Sequence, residues 1–188
     1  MKIVLIAGSN SGRKTREIIN IAEELLPEID KDLEIEKFDL ASIEMEFADG
    51  RHFQDYNAEF KEVLESIIAS DAVLISSPVY NAGLPSTLTN LLNALPDKAL
   101  QGKAVGIIMT AGSSNHSLVA QYQLKPNLSY LKAHIVPSYV LINDKSFVQG
   151  KVIDGDVRYR IQDLLFDTIL LARGLKFMEA EEDKLLGF

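Results

Sequence analysis

Ile3-Val4-Leu5-Ile6-Ala7-Gly8-Ser9-Asn10-Ser11-Gly12-Arg13-Lys14-Thr15 decides how the rest of the chain is read. Its apolar start, rich in branched side chains, suits a strand covered on both faces, as strands of a parallel sheet are. The run passes straight into a polar loop with two glycines. That loop opens a helix whose apolar stripe is Ile18, Ile21, Ala22, Leu25 and Leu26. A buried strand feeding a helix through a short loop is the first half of a β-α-β unit.

The same alternation repeats along the chain. Further apolar runs lie at Leu33–Phe38, Ala72–Ser76, Ala104–Met109 and Ile135–Ile142. Leu33–Phe38 alternates apolar and polar residues, which marks an edge strand with one wetter face. Helical periods separate the runs: Phe60, Val63, Leu64, Ile67 and Ile68, then Leu88, Leu91, Leu92 and Leu95. Leu118–Leu131 is a less regular helix that Pro126 kinks or divides. Ile161, Leu164, Leu165, Thr168, Leu171 and Ala172 mark the last helix.

Strict alternation predicts a doubly wound five-stranded parallel sheet with helices on both faces and right-handed crossovers. Its expected order is 2-1-3-4-5, with ligands just beyond the carboxyl ends of strands 1 and 3. No repeat, low-complexity tract or linker interrupts the chain, so residues 1–188 are expected to form a single domain.

Composition narrows the chemistry. With 19 Lys and Arg against 27 Asp and Glu, the formal charge is −8. That argues against a broad electrostatic grip on nucleic acid or an anionic membrane. There is no cysteine. Disulfides, Cys-ligated metal sites and thiol nucleophiles are therefore excluded, and a cytoplasmic setting is expected. The apolar run at the N-terminus is too short for a signal-peptide core, and no run reaches the length of a membrane span.

The loop Gly8–Thr15 is the first candidate site. Two glycines allow close backbone approach, and hydroxyls with helix N-terminal amides make a nest for an anion. Arg13, Lys14 and Arg16 add positive charge in an acidic chain. The string comes near a Walker A loop, with Lys14-Thr15 in place. Arg13, however, stands where the second glycine is required, and no strand ends in the magnesium-holding acid. A polar turn capped by Ser and Thr is the bland alternative. A monophosphate site fits the residues best.

Ser76-Ser77-Pro78-Val79-Tyr80-Asn81-Ala82-Gly83-Leu84-Pro85 follows the third strand. Two prolines and a glycine stiffen the loop. Tyr80 offers a flat face and Asn81 an amide, a pairing that suits a planar heterocycle both stacked and hydrogen-bonded. The alternative is a turn in which Tyr80 covers the end of the sheet. Across the switch point, one nucleotide would bridge this loop and the phosphate loop.

Gly8-Ser9 with its basic loop, Ser77-Pro78-Val79-Tyr80-Asn81-Ala82-Gly83 and Leu88-Thr89-Asn90-Leu91-Leu92-Asn93 together resemble the NADPH-dependent FMN reductase family. That family is flavodoxin-like and includes azoreductases and quinone reductases. The resemblance runs from Met1 to about Ile142. It implies that Ser9, Ser11, Arg13, Thr15 and Arg16 surround an FMN phosphate. It places Pro78, Val79, Tyr80, Asn81 and Gly83 along the isoalloxazine, with the loop Thr110-Ala111-Gly112-Ser113-Ser114 closing its other edge by backbone amides. The chain departs from the family pattern at Ser11, often arginine, at Thr89, usually lysine, and at Asn93, usually aspartate.

The resemblance also implies an enzyme that moves electrons from NADPH or NADH through FMN to a small acceptor. Azo compounds, quinones, nitroaromatics and free flavin are the acceptor classes. Hydride arrives and leaves in alternate half-reactions, and no protein base is needed. A flavin-binding electron carrier or sensor is the alternative, and an NTPase a further one. His134 reads as structural, His52 and His116 as loop residues, and Glu179, Glu181, Glu182 and Asp183 as a solvated face rather than metal ligands. A homodimer with the flavin near its interface is expected, and the broadly apolar last helix offers surface for one.

Overall fold

The apolar runs line up side by side. In the computed structural model, which describes residues 1–186, β1 (Lys2–Ala7) lies between β2 (Glu34–Asp39) and β3 (Ala72–Pro78). Beyond β3 comes β4 (Ala104–Ala111), and every neighbouring pair runs parallel. The order is thus 2-1-3-4-5, the flavodoxin-like arrangement. Every residue of β3 and β4 is buried, which is why those runs are apolar throughout. At the edge, β2 keeps one wetter face, in keeping with its Glu-Ile-Glu-Lys alternation.

The fifth position is not one strand, which corrects the expectation for Ile135–Ile142. It is split into β5 (His134–Ile135) and β6 (Val140–Asn143), both parallel to β4. Pro137, lying between them, has no N–H to give to a ladder, so the pairing stops and resumes. A second proline acts on the helix before it. Ala120–Leu124 is wound as a wider π-turn and passes into α4 (Lys125–Tyr130), with Pro126 in the first turn of α4. The expected division at Pro126 is therefore a change of helical register.

Two apolar layers sandwich the sheet. On one face, α2 (Ala58–Ala69), α3 (Ser86–Ala94) and the 119–131 segment pack Phe60, Leu64, Leu88, Leu91 and Leu128 against Val4, Ile6, Ile75 and Ile107. On the other, α1 (Arg13–Ile29) and α5 (Gly155–Leu186) pack Ile18, Leu25, Ile161 and Leu165 against Ile3, Leu5 and Leu74. Thr168 on α5 comes so close to β4 that only glycine fits at position 106. A Cβ there would lie 2.6 Å from Thr168 Oγ1 and 3.0 Å from Leu74 Cδ1.

Between the fifth strand position and α5, a small antiparallel hairpin forms from β7 (Phe147–Val148) and β8 (Lys151–Val152). Its turn residues Gln149 and Gly150 both have positive φ, 49° and 83°, the conformation that a tight two-residue hairpin requires. Among the described residues no helix is long and apolar enough to cross a membrane.

Candidate functional site

Three crossover loops converge where β1, β3 and β4 end. Gly8 N–H donates to the Ser76 carbonyl at 2.7 Å, tying the first loop to the third strand. The chain then folds over Ser9, which is fully buried. A Cβ at Gly12 would lie only 2.5 Å from Ser9 Oγ, so this close approach requires glycine. Ser9 Oγ accepts the Ser11 N–H at 3.2 Å, and Thr15 Oγ1 donates to the Gly12 carbonyl at 3.0 Å. Gly12 is the N-cap of α1 and brings no side chain to its first-turn amides. Those donors are left for an incoming anion.

The loop after β3 is held equally firmly. Val79 N–H donates to the Thr110 carbonyl at 2.9 Å, and Tyr80 and Gly83 exchange backbone hydrogen bonds at 3.0 and 2.8 Å. Asn81 and Ala82 turn the chain with φ of 48° and 59°. Gln123 clamps this turn from outside: its Nε2 donates to the Ala82 carbonyl at 2.9 Å and its Oε1 accepts the Leu84 N–H at 3.2 Å. Nearby, Asn90 on α3 accepts the Ala48 N–H and donates to the Glu46 carbonyl, fixing the long connection after β2.

Between these loops lies a cavity of about 430 Å³. Ser11, Arg13, Lys14 and Thr15 form its polar end. Pro78, Val79 and Tyr80 form one wall, and Thr110, Ala111 and Gly112 the other. The structure therefore gathers Ser11, Arg13, Thr15, Pro78, Val79, Tyr80, Ala111 and Gly112 around one cavity. Ser9 sits beneath the lining, its Oγ 2.9 Å from the Tyr80 hydroxyl.

The remaining candidates lie off the lining. Arg16 Nε donates to Asp39 Oδ2 at 2.5 Å, at the carboxyl end of edge strand β2. Asn81 and Gly83 belong to the turn outside the wall, and Gly83 packs against Gln123. Ser113 accepts the Asn115 N–H at 3.2 Å in the turn that follows the cavity. His116 ends that turn and does not line the cavity, while His52 Nδ1 accepts the Gln54 N–H in a turn of its own.

Sequence reasoning did not place Asp144, Gln149 or Gly150 in the wall. Lys14 was expected there as added charge and as the lysine of a near Walker A string, with no partner assigned to it. Lys14 Nζ lies 2.6 Å from Asp144 Oδ1 and 5.4 Å from the centre of the Phe147 ring. The readable signal was Val148-Gln149-Gly150-Lys151, a two-residue turn ending in glycine between short strand-formers.

The cavity has a polar, basic end and an apolar slot at the switch point of a 2-1-3-4-5 sheet. The family model described as NADPH-dependent FMN reductase matches residues 1–146. This chain belongs to that family. An NAD(P)H-dependent FAD/FMN reductase of Geobacillus thermodenitrificans is 29% identical over 181 residues, covering 94% of this chain and 96% of that protein. The FMN reductase (NADPH) of Escherichia coli is 30% identical over 149 residues, covering 79% and 76%. The crystal structure of an oxidoreductase from Corynebacterium diphtheriae superposes with a TM-score of 0.73 over 92% of this chain and 97% of that one, at 22% identity. As an FMN reductase family member the chain is an oxidoreductase. Its hairpin, with Gln149 and Gly150 in the cavity wall, lies past the end of the family match.

Proposed function

We propose that this chain is a single FMN-binding domain that passes electrons from NADPH or NADH through FMN to a small acceptor. The observation that carries the reading is the cavity itself, with anion donors at one end and apolar walls at the other. The donor set fits the cofactor. First-turn amides of α1 with Ser11, Arg13, Lys14 and Thr15 suit its phosphate. Pro78, Val79 and Tyr80 suit its ring. Gly112 keeps the opposite wall low, since a Cβ there would meet only Asp144 Oδ2, at 3.7 Å.

Bound there, FMN supplies two-electron redox chemistry between NAD(P)H and the acceptor. The chain's own residues position and shield. Tyr80 is held by Ser9, and the Val79 backbone by Thr110, so the ring wall is rigid before any ligand arrives. The Gly112 amide, in the lining, would serve as a donor to the ring's polar edge. Donor and acceptor would occupy the open side of the cavity in turn, in a ping-pong cycle with azo, quinone, nitroaromatic or flavin acceptors. On the last helix Leu164, Leu165 and Ile169 are taken up by the core, while exposed Phe166, Leu170 and Phe177 support a homodimer through that helix.

The test is the visible spectrum of the purified protein with FMN added, before and after anaerobic NADPH and then NADH. Flavin bands that bleach with either nucleotide are expected. Bound flavin that both leave oxidised points to an electron carrier, and failure to bind FMN overturns the proposal.

A further inference from the structure

Asp144 is the sole carboxylate among the described residues that line the cavity, and it is already paired with the cation beside the phosphate loop. Its Oδ1 lies 2.6 Å from Lys14 Nζ. Its Oδ2 is on the side of Gly112, within 3.7 Å of where a Cβ would stand. The carboxylate thus reaches across from the end of β6 to the start of α1.

Two further contacts hold this arrangement together. Lys151 Nζ on the hairpin lies 2.6 Å from Glu17 Oε2 on α1. The hairpin tip rests on Arg13, whose Cβ would be 3.3 Å from a Cβ at Gly150. Phe147 is buried beneath the Lys14 ammonium, so that side chain lies between an aromatic face and a carboxylate. Of the two basic side chains in the lining, Arg13 has no such carboxylate partner in the cavity wall.

We propose that Asp144 competes with the flavin phosphate for Lys14 and so sets how strongly this chain prefers phosphorylated flavin. The inference rests on the FMN reading above. A phosphate dianion arriving at the α1 N-terminus is attracted by Lys14 and repelled by Asp144, and must share the ammonium with it. A flavin without phosphate meets neither effect. Asp144 is therefore a specificity-determining residue that weakens the phosphate's contribution while leaving the ring contacts untouched.

The experiment titrates FMN and riboflavin, separately, into wild type, Asp144→Asn, Lys14→Met and the double variant at fixed ionic strength, reading flavin fluorescence. Asp144→Asn is expected to bind FMN about tenfold more tightly, as removal of one like charge at close range implies. Riboflavin affinity stays unchanged, which also reports that the variant is folded. In the Lys14→Met background the same change has a smaller effect, because the shared cation is gone. Asp144→Ala repeats the result if charge is the cause. An Asp144→Asn protein that binds FMN no better than wild type, or shifts both flavins equally, overturns the inference while wild-type FMN binding upholds the reading beneath it. Wild type that binds neither flavin overturns both.

Discussion

Ser9 Oγ and the Tyr80 hydroxyl lie 2.9 Å apart, so the loops after β1 and β3 are joined by a hydrogen bond across the switch point. Ser9 is fully buried and Tyr80 part-exposed, which puts the bond at the floor of the cavity.

Loss of that bond is expected to loosen both loops at once. Tyr80→Phe should cost about 1 kcal/mol of stability, the usual net worth of a neutral hydrogen bond. Ser9→Ala should cost more, because it also strands the Ser11 N–H. In the double variant the costs should fall short of their sum, since both remove the same bond. Urea unfolding of the four proteins measures the coupling, and strict additivity would show that the two loops are independent.

Arg13 and Arg16 should behave differently toward FMN. Arg13 lines the cavity, whereas Arg16 is paired with Asp39. Arg13→Gln is expected to weaken FMN binding by about tenfold, with little change for riboflavin. Arg16→Gln should leave both affinities within about twofold. Equilibrium titration of each variant decides it, and equal losses would place Arg16 in the phosphate site.

Gly106→Ala should destabilise the fold by about 1–3 kcal/mol, because the added methyl is forced between β4 and α5. Thr168 Oγ1 is the nearest obstacle, and its hydroxyl donates to the Leu164 carbonyl within the helix. Thr168→Ala should therefore rescue part of the loss. Thermal or urea melts of the pair test this. No rescue would make Leu74 the limiting contact.

Stability should fall on acidification, starting near pH 4.5. The Lys2 ammonium holds the Glu36 carboxyl below its usual value. Arg51 brings Asp49 down to about 2, and the Asp32 N–H with Arg173 lowers Asp30. Burial pushes Asp71 up, but Lys176 and the Lys2 N–H outweigh it and the net shift is downward. A carboxylate depressed in the folded state favours folding above its ordinary pKa. That contribution is lost as pH falls through the depressed value. Melting temperatures between pH 6 and pH 2.5 check the slope, and Asp71→Asn should flatten it.

What the sequence disclosed follows from what sequence can encode. Burial on both faces requires uninterrupted apolar residues, so β1, β3 and β4 were legible, and so were the amphipathic helices. The choice of loops followed from strand order alone. Side-chain direction was not legible, because it depends on partners far along the chain. Arg16 turns to Asp39, and Asn81 is consumed in a turn clamped by Gln123. Asp144 reaches the cavity only because Pro137 breaks the fifth strand and β6 resumes beside the end of β4. The hairpin had a visible turn motif, but a two-residue strand is too short for periodicity to reveal.

The layer under α1 and α5 draws on both ends of the chain, from Ile3 and Leu5 to Ile169 and Ala172, whereas the buried side chains of the opposite layer end at Leu131. A ribosome delivers residues from the N-terminus onward. One side of the sheet can therefore close while the other waits for α5. At about 5–20 residues per second, that wait lasts roughly two to eight seconds. During it the nascent protein shows a bare aliphatic surface, a natural target for chaperones and the point at which truncated or stalled chains would aggregate.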